Sequence, residues 1–470
     1  MSIPAWVPDA VFYQIFPDRF ANGDPSNDPT NALPWDATPT TWGFHGGDLR
    51  GIIQRFDYLQ DLGINAIYLN PIFQATSNHR YNTTDYYRID PKLGDMRDFR
   101  ALVELAHRNG VHLLLDGVFN HCGRGFFAFN DLLENGAHSP YRDWFHVRRF
   151  PLQAYEGAKA ENYLAWWNMP GLPKFNTANP QVREFLLGVA RFWIEQGADG
   201  WRLDVPNEID DDSFWHEFRH TVRQANPDAY LVGEIWSADP RWVGEGHFDG
   251  LMNYPLRDHL LAFLAKREIK PTEFGRRVDS LLKTYPEAHA FTQLNTLGSH
   301  DTERILTLCG GDQAKVRLAY SFLFCFPGAP AIYYGDEVGM QGGKDPDCRR
   351  AFPWSQDAWD LRLRGHVQKL TAIRTRLPEL RRGDFQWLAL DDDSSVCAFV
   401  RSLGPERAMV LLNCSASPRV ARVSVGELGW PDGKSLWDAM TCRPTQVAGA
   451  EVRLDLQPLD GAILVDRPVL

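Results

Sequence analysis

The chain has 470 residues, 44% hydrophobic and 23% charged, with a net charge of -11. That balance belongs to a folded globular protein and excludes disordered and fibrous classes, and the acidic surplus argues against nucleic acid as a partner. Aromatic residues reach 13%, with 16 Trp, and flat indole faces serve either to fill cores or to stack on sugars.

The N-terminal segment MSIPAWVPDAVFYQ lacks the basic n-region and apolar run of a secretory signal. No stretch reaches the roughly 18 apolar residues of a membrane span, so no membrane partner is expected. The seven cysteines are scattered without a CxxC pair, which points to buried reduced thiols and a cytoplasmic protein.

Short apolar runs then alternate with helical stretches. Val11–Phe16, Ala66–Ile72, His112–Phe119, Gly200–Leu203, Leu231–Ile235, Gly250–Asn253, Gln293–Gly298 and Ala331–Tyr334 are predicted strands. Several are apolar throughout, as strands buried on both faces are. Asp98–Asn109 and Gln181–Gln196 carry apolar residues at helical spacing and end before Gly110 and Gly197. Eight strand–helix units predict an α/β fold, a (β/α)8 TIM barrel. A doubly wound sheet is the alternative, but no GxGxxG follows the first strand. From His121 to Gln181 the connection far exceeds the ~2–6 residues of an ordinary βα loop. Its many aromatic residues predict a packed subdomain inserted over the barrel mouth. After Gly383, alternating runs such as SSVCAFVRS and EVRLDLQP predict a C-terminal antiparallel β-sandwich. The expected division is a barrel over 1–121 and 181–383, an inserted subdomain over 122–180 and a sandwich over 384–470.

Four polar clusters end predicted strands: DGVFNH at Asp116, GWRLDVPNE at Gly200, GEIW at Gly233 and LGSHDT at Leu297. They belong to the third, fourth, fifth and seventh strands, and a barrel gathers such ends on one face, where barrel enzymes keep their active sites. A single acid there is as readily a helix cap or a loop ion pair. Three carboxylates converging with Arg202, His121 and His300 instead suit glycoside hydrolysis. That reaction needs an ionised carboxylate and a protonated one. Arg202 precedes Asp204 by two residues on one strand, so both point the same way. A guanidinium there is expected to hold Asp204 ionised.

At these clusters, and from VFYQIFPDRF to the C-terminal strands, the sequence resembles glycoside hydrolase family 13, the alpha-amylase superfamily. The resemblance implies a retaining α-glucan hydrolase with Asp204 as nucleophile, Glu234 as general acid/base and Asp301 as the third catalytic carboxylate. His121, Arg202 and His300 would bind the sugar, with Tyr81 of NHRYNTTDYY stacking beneath it and Trp236 on the leaving-group side. Asp116 is read as structural. MPGLPKFN, DPDCRRAFPW and IYYGDEVGM are similar to the neopullulanase, cyclomaltodextrinase and maltogenic amylase subgroup. The expected substrates are maltodextrins, cyclodextrins, pullulan or starch, cleaved at α-1,4 and possible α-1,6 bonds. The alternative is a glucosyltransferase or a sucrose- or maltose-isomerising relative. With strand one at Val11, the subgroup's extra N-terminal β-domain is expected to be absent, leaving monomer and homo-oligomer both open.

NGDPSND at Asn22–Asp28, with Gly46-Gly47-Asp48, reads on its own as a solvated turn or as a cluster of hard oxygens suited to Ca2+. The resemblance implies one structural calcium held by Asn22, Asp24, Asn27, Asp28, Gly46 and Asp48. A second amylase-type calcium site would need a His shortly after the nucleophile. Glu208 stands there instead, so that site is not expected. No GxSxG, HExxH, Walker A or Rossmann motif supports another chemistry.

Overall fold

The computed structural model describes residues 3–155, 157 and 159–469. In chain order the first ten strands are β1 (Phe12–Ile15), β2 (Ala66–Leu69), β3 (Phe73–Ala75), β4 (Thr83–Ile89), β5 (His112–Gly117), β6 (Gly200–Leu203), β7 (Tyr230–Gly233), β8 (Gly250–Leu251), β9 (Leu294–Thr296) and β10 (Ala329–Tyr333). β3 and β4 pair with each other as an antiparallel hairpin. The other eight form one parallel sheet in the order β8–β7–β6–β5–β2–β1–β10–β9. A parallel bridge between Met252 and Leu294 brings its two ends together, which makes the sheet the predicted TIM barrel.

Side chains alternate along each strand. Phe12, Ala66, Tyr68, Leu114, Tyr230, Val232, Leu294 and Ala331 belong to one buried cluster, the barrel interior. Their neighbours Tyr13, Ile67, Leu113, Trp201 and Leu231 belong to another, shared with the surrounding helices. Extending the interior parity to the strands' carboxyl ends brings Gln14, Asn70, Asp116, Arg202, Asp204 and Glu234 to the barrel mouth. Register sets the neighbours: Asp116 lies beside Arg202 across the β5–β6 pair.

The helices follow from local sequence. Met96–Arg108 starts at a capping box, in which the Asp95 carboxylate accepts from the backbone N–H of Asp98 and the Asp98 carboxylate accepts from the backbone N–H of Asp95. Phe99, Leu102, Val103 and Ala106 form its buried stripe. Pro180–Glu195 begins at Asn179, with Pro180 in the first turn, and buries Val182, Leu186, Val189, Ala190 and Trp193. Gly110 and Gly197, past the two helix ends, take φ values of 68° and 106°, which a side chain would disfavour.

Between β5 and Pro180 the chain forms the helix Phe127–Asn135 and short bridges such as Val147–Tyr163 and Phe145–Phe175. Phe126, Phe129, Trp144, Phe145, Tyr163 and Phe175 are buried there, so the segment packs.

The remaining strands are β11 (Asp384–Asp391), β12 (Val396–Leu403), β13 (Glu406–Asn413), β14 (Arg419–Ser424), β15 (Ser435–Asp438), β16 (Pro444–Ala448), β17 (Glu451–Leu456) and β18 (Asp460–Val465). They form an antiparallel sheet in the order β11–β12–β13–β18–β15–β16–β17–β14. β12 is buried on both faces. Val396, Ala398 and Val400 line the sheet's own core with Ala421 and Val423 of β14. Cys397 and Phe399 join the barrel-side cluster, where Phe399 meets Phe322 at 5.6 Å. No helix among the described residues is long and apolar enough to cross a membrane.

Candidate active site

Arg202 is the hub of the barrel mouth. It is fully buried, and its Nη1 donates to Asp116 at 2.9 Å and 3.1 Å and to Asp204 at 3.2 Å. Its Nη2 lies 3.0 Å from Glu234 Oε2. One guanidinium therefore serves three buried carboxylates. Asp116 also accepts from Tyr68 at 2.6 Å and Tyr81 at 2.7 Å. Glu234 Oε2 accepts from the Val205 backbone N–H at 3.1 Å, and Oε1 from Trp236 Nε1–H at 3.3 Å. Val205 sits at φ 35°, a left-handed conformation costly for a β-branched residue. The strained backbone aims its N–H at Glu234.

This arrangement departs from the expectation for Asp204. Arg202 does pull its carboxyl down, but burial and the neighbouring Glu234 outweigh that pull and raise it well above the usual carboxylate range. The physical reason is sharing, because Arg202 has Asp116 and Glu234 to neutralise as well. Glu234 is pushed up to about 7 by burial, against the pull of Arg202 and with a further push from Asp301. Two such interacting groups titrate as a pair, in steps that belong to both rather than to either one.

Tyr81 is placed by its buried predecessor. Arg80, at φ 63°, is clamped by Asp90 at 2.9 Å and by the Asn78 carbonyl at 2.6 Å. The Tyr81 ring stacks on His300 at 5.3 Å and 6°. Amide N–H groups of Gln14 and Asn70 reach His300 Nδ1 at 2.9 Å and 3.0 Å. That assignment makes Nδ1 the acceptor and leaves the proton on Nε2, which faces Tyr81 Oη at 2.7 Å and Asp301 Oδ2 at 3.1 Å. Burial and Arg349 hold His300 well below its ordinary value, so it is neutral. Asp301 is exposed at the mouth, and Arg349 donates to it at 3.1 Å and to the His300 carbonyl at 2.8 Å. His121 is held at about 3 by burial, and its Nε2 is buried without a partner. Trp236, half-exposed, stacks on Tyr254 at 3.9 Å and 4°.

The structure thus gathers Tyr81, Arg202, Asp204, Glu234, Trp236, His300 and Asp301 into one linked constellation, with His121 at the end of β5 in the same mouth. Sequence reasoning missed Gln14, Tyr68, Asn70 and Arg349 as supports. Gln14 and Asn70 did leave a signal, as polar residues at the ends of otherwise apolar strands (VFYQ and AIYLN).

The expected calcium ligands also assemble. Asn22 donates to both oxygens of Asp28 at 2.9 Å, and Asn27 donates to Asp48 at 2.9 Å. Gly46, at φ 81°, lies so close that an added Cβ would stand 2.3 Å from Asp28 Oδ1. The amide oxygens of Asn22 and Asn27 are buried without a hydrogen-bond partner. Asp48 caps the helix Leu49–Gln54, accepting from Gly51 at 2.6 Å and from the backbones of Gly23 and Asp24. Asp24 spends its oxygens on Ser26 and Arg50. Among the described residues no group of three His, Cys, Asp or Glu is arranged to hold a metal. Glu208 pairs with Lys174 at 3.0 Å.

Residues 14–387 match the family described as alpha amylase, catalytic domain. A cyclomaltodextrinase from Geobacillus thermopakistaniensis is 49% identical over 88% of this chain and 70% of its own length. Neopullulanase 2 from Thermoactinomyces vulgaris is 44% identical over 98% of this chain and 78% of its own. The structure of a cyclic alpha-maltosyl-(1→6)-maltose hydrolase from Arthrobacter globiformis superposes with a TM-score of 0.91 at 42% identity, covering 99% of this chain and 100% of that one. With the barrel, the carboxylate cluster and these matches in agreement, the chain belongs to the alpha-amylase family, glycoside hydrolase family 13.

Proposed function

We propose that this protein is a retaining α-glucan hydrolase that cleaves α-1,4 and α-1,6 bonds in maltodextrins, cyclodextrins, pullulan or starch. The observation that carries the reading is the set of carboxylates on Arg202, one of them raised to about 7. Asp204, as the anion, attacks the anomeric carbon while Glu234 gives its proton to the departing glycosidic oxygen. A glycosyl ester on Asp204 results. Glu234 then takes a proton from water, whose oxygen displaces Asp204 and regenerates the site. Asp301, braced by Arg349 and His300, binds sugar hydroxyls, with Tyr81 stacked beneath the ring and Trp236 on the leaving-group side. His121 Nε2 supplies a further bond to the sugar. The mixed linkage follows the relatives, named for pullulan, cyclomaltodextrins and a 1→6-linked cyclic maltoside. Chromatography of products from β-cyclodextrin, pullulan, maltotriose and sucrose tests it. Maltose, panose or glucose from the glucans is expected. Glucosyl transfer with little free reducing sugar would overturn hydrolysis in favour of a transferase.

We further infer that Asn22, Asp24, Asn27, Asp28, Gly46 and Asp48 hold one structural Ca2+. The support is chemical: two buried amide oxygens without partners, amid carboxylates and a close backbone, suit a hard cation that takes about six to eight oxygens. When bound, the ion would tie the loop after β1 to the helix Leu49–Gln54. Chelation is expected to lower Tm by several degrees, with recovery on adding Ca2+. A Tm indifferent to chelator would remove the site.

A cytoplasmic location is part of the same proposal. Among the described residues, Cys122, Cys309, Cys325, Cys348, Cys397 and Cys414 are buried thiols, as suits a reducing compartment.

A further inference from the structure

We propose that Trp166 and Trp167 form a stacking platform that binds a glucosyl unit of the substrate remote from the cleaved bond, and so sets a preference for longer chains. The inference rests on the α-glucan reading above and deepens it.

Trp167 is 73% exposed, an expensive position for the largest apolar side chain. It also adopts φ 50°, and Asn168 after it φ 57°. Two successive non-glycine residues in the left-handed region are held only where the surrounding structure over-determines them, and such strain concentrates at ligand sites. The surroundings here do hold them. Trp166 N–H donates to Leu172 O at 3.0 Å, Asn168 N–H to Ala165 O at 3.0 Å and Met169 N–H to Trp166 O at 2.9 Å, while Asn168 O accepts from Ala160 at 2.7 Å. Exposure of Trp167 is thus built into a bonded loop.

The direction of the platform is set by stacking. Trp167 lies on Trp166 at 4.5 Å and 10°. Trp166 lies on His121 at 5.3 Å and 16°. The pile starts at a buried histidine that follows β5 and ends on a solvent-facing indole. Of the cations on this segment, Lys174 is paired with Glu208 and Arg124 lies over the Tyr155 ring and donates to Ala154 O, which favours a neutral ring with an apolar face over a phosphorylated ligand.

The test is kcat/KM along the series maltotriose to maltoheptaose for the wild type, Trp167→Ala and Trp167→Phe. Trp167→Ala is expected to lower the ratio of kcat/KM for maltoheptaose to that for maltotriose by about fivefold to tenfold, the worth of one aromatic stack, through KM. Trp167→Phe is expected to restore much of it. An unchanged ratio in Trp167→Ala overturns the platform. If the wild type cleaves no glucan, the hydrolase reading fails, and quenching of tryptophan fluorescence by maltoheptaose then decides the platform. Quenching lost in Trp167→Ala sustains it, and quenching retained overturns it.

Discussion

Asp204→Asn is expected to lower kcat/KM on maltodextrins by at least about 10⁴-fold, because it removes the atom that bonds to the sugar. The side chain is nearly isosteric, and the fold has no reason to fail. Arg202 keeps Asp116 at 2.9 Å and Glu234 at 3.0 Å. Burial of three acids around one guanidinium is already unfavourable to the charged forms, as the raised Asp204 shows, so a neutral amide relieves crowding. Tm should stay level or rise. A second readout separates lost chemistry from lost binding. With an α-maltosyl fluoride, Glu234→Gln should accumulate a glycosyl ester on Asp204, fluoride leaving as the C1–O bond forms, and peptide mass mapping would locate it. Near-normal turnover by Asp204→Asn, or an ester elsewhere, would remove the nucleophile from the mechanism.

That much of the site was legible in advance because strand ends are the one place where a barrel sequence interrupts apolar runs with charge. Asp116, Arg202, Asp204 and Glu234 all follow apolar strand residues, and strand parity turns them inward. The supports were fainter for a different reason. Gln14 and Asn70 are single polar residues with no companion in sequence, and only closure of the barrel brings both to His300 Nδ1. Arg349 comes from the distant DPDCRRAFPW segment, where its reach to Asp301 depends on a loop path that no spacing encodes. The left-handed Val205 was equally silent, since nothing about Val marks such a φ. In the C-terminal sheet the strands were readable by alternation, but their order was not. β18 inserts between β13 and β15, where its Ile463 and Val465 join the barrel-side cluster. The expectation that Arg202 serves Asp204 alone counted too few partners, because a local reading pairs one cation with one acid. The fold gives it three.

That sharing has a measurable consequence. The kcat/KM of the free enzyme is expected to follow a narrow bell whose alkaline limb falls at about pH 7, where Glu234 loses its proton. The sign follows from its role: the departing oxygen needs a proton, so activity is lost as pH rises through that value. The acid limb belongs to the first ionisation of the Asp204–Glu234 pair, since the nucleophile must be an anion. Glu234→Gln cannot ionise, so the alkaline limb should disappear while the rate drops roughly 10²–10⁴-fold. Maltosyl fluoride, whose leaving group needs little protonation, should lose less in the ester-forming step. Trp236→Phe should move the limb upward, because the indole N–H at 3.3 Å from Oε1 favours the carboxylate anion. Stability must run with the same linkage. An unfolded chain releases this proton near the ordinary 4.5 and the folded one near 7. The group's contribution is therefore full below 4.5 and is lost as pH climbs through 7. Glu234→Gln should accordingly gain Tm relative to the wild type at pH 8 and gain little at pH 4. If the alkaline limb survives in Glu234→Gln, the proton belongs to another group, and Glu234 is not the acid.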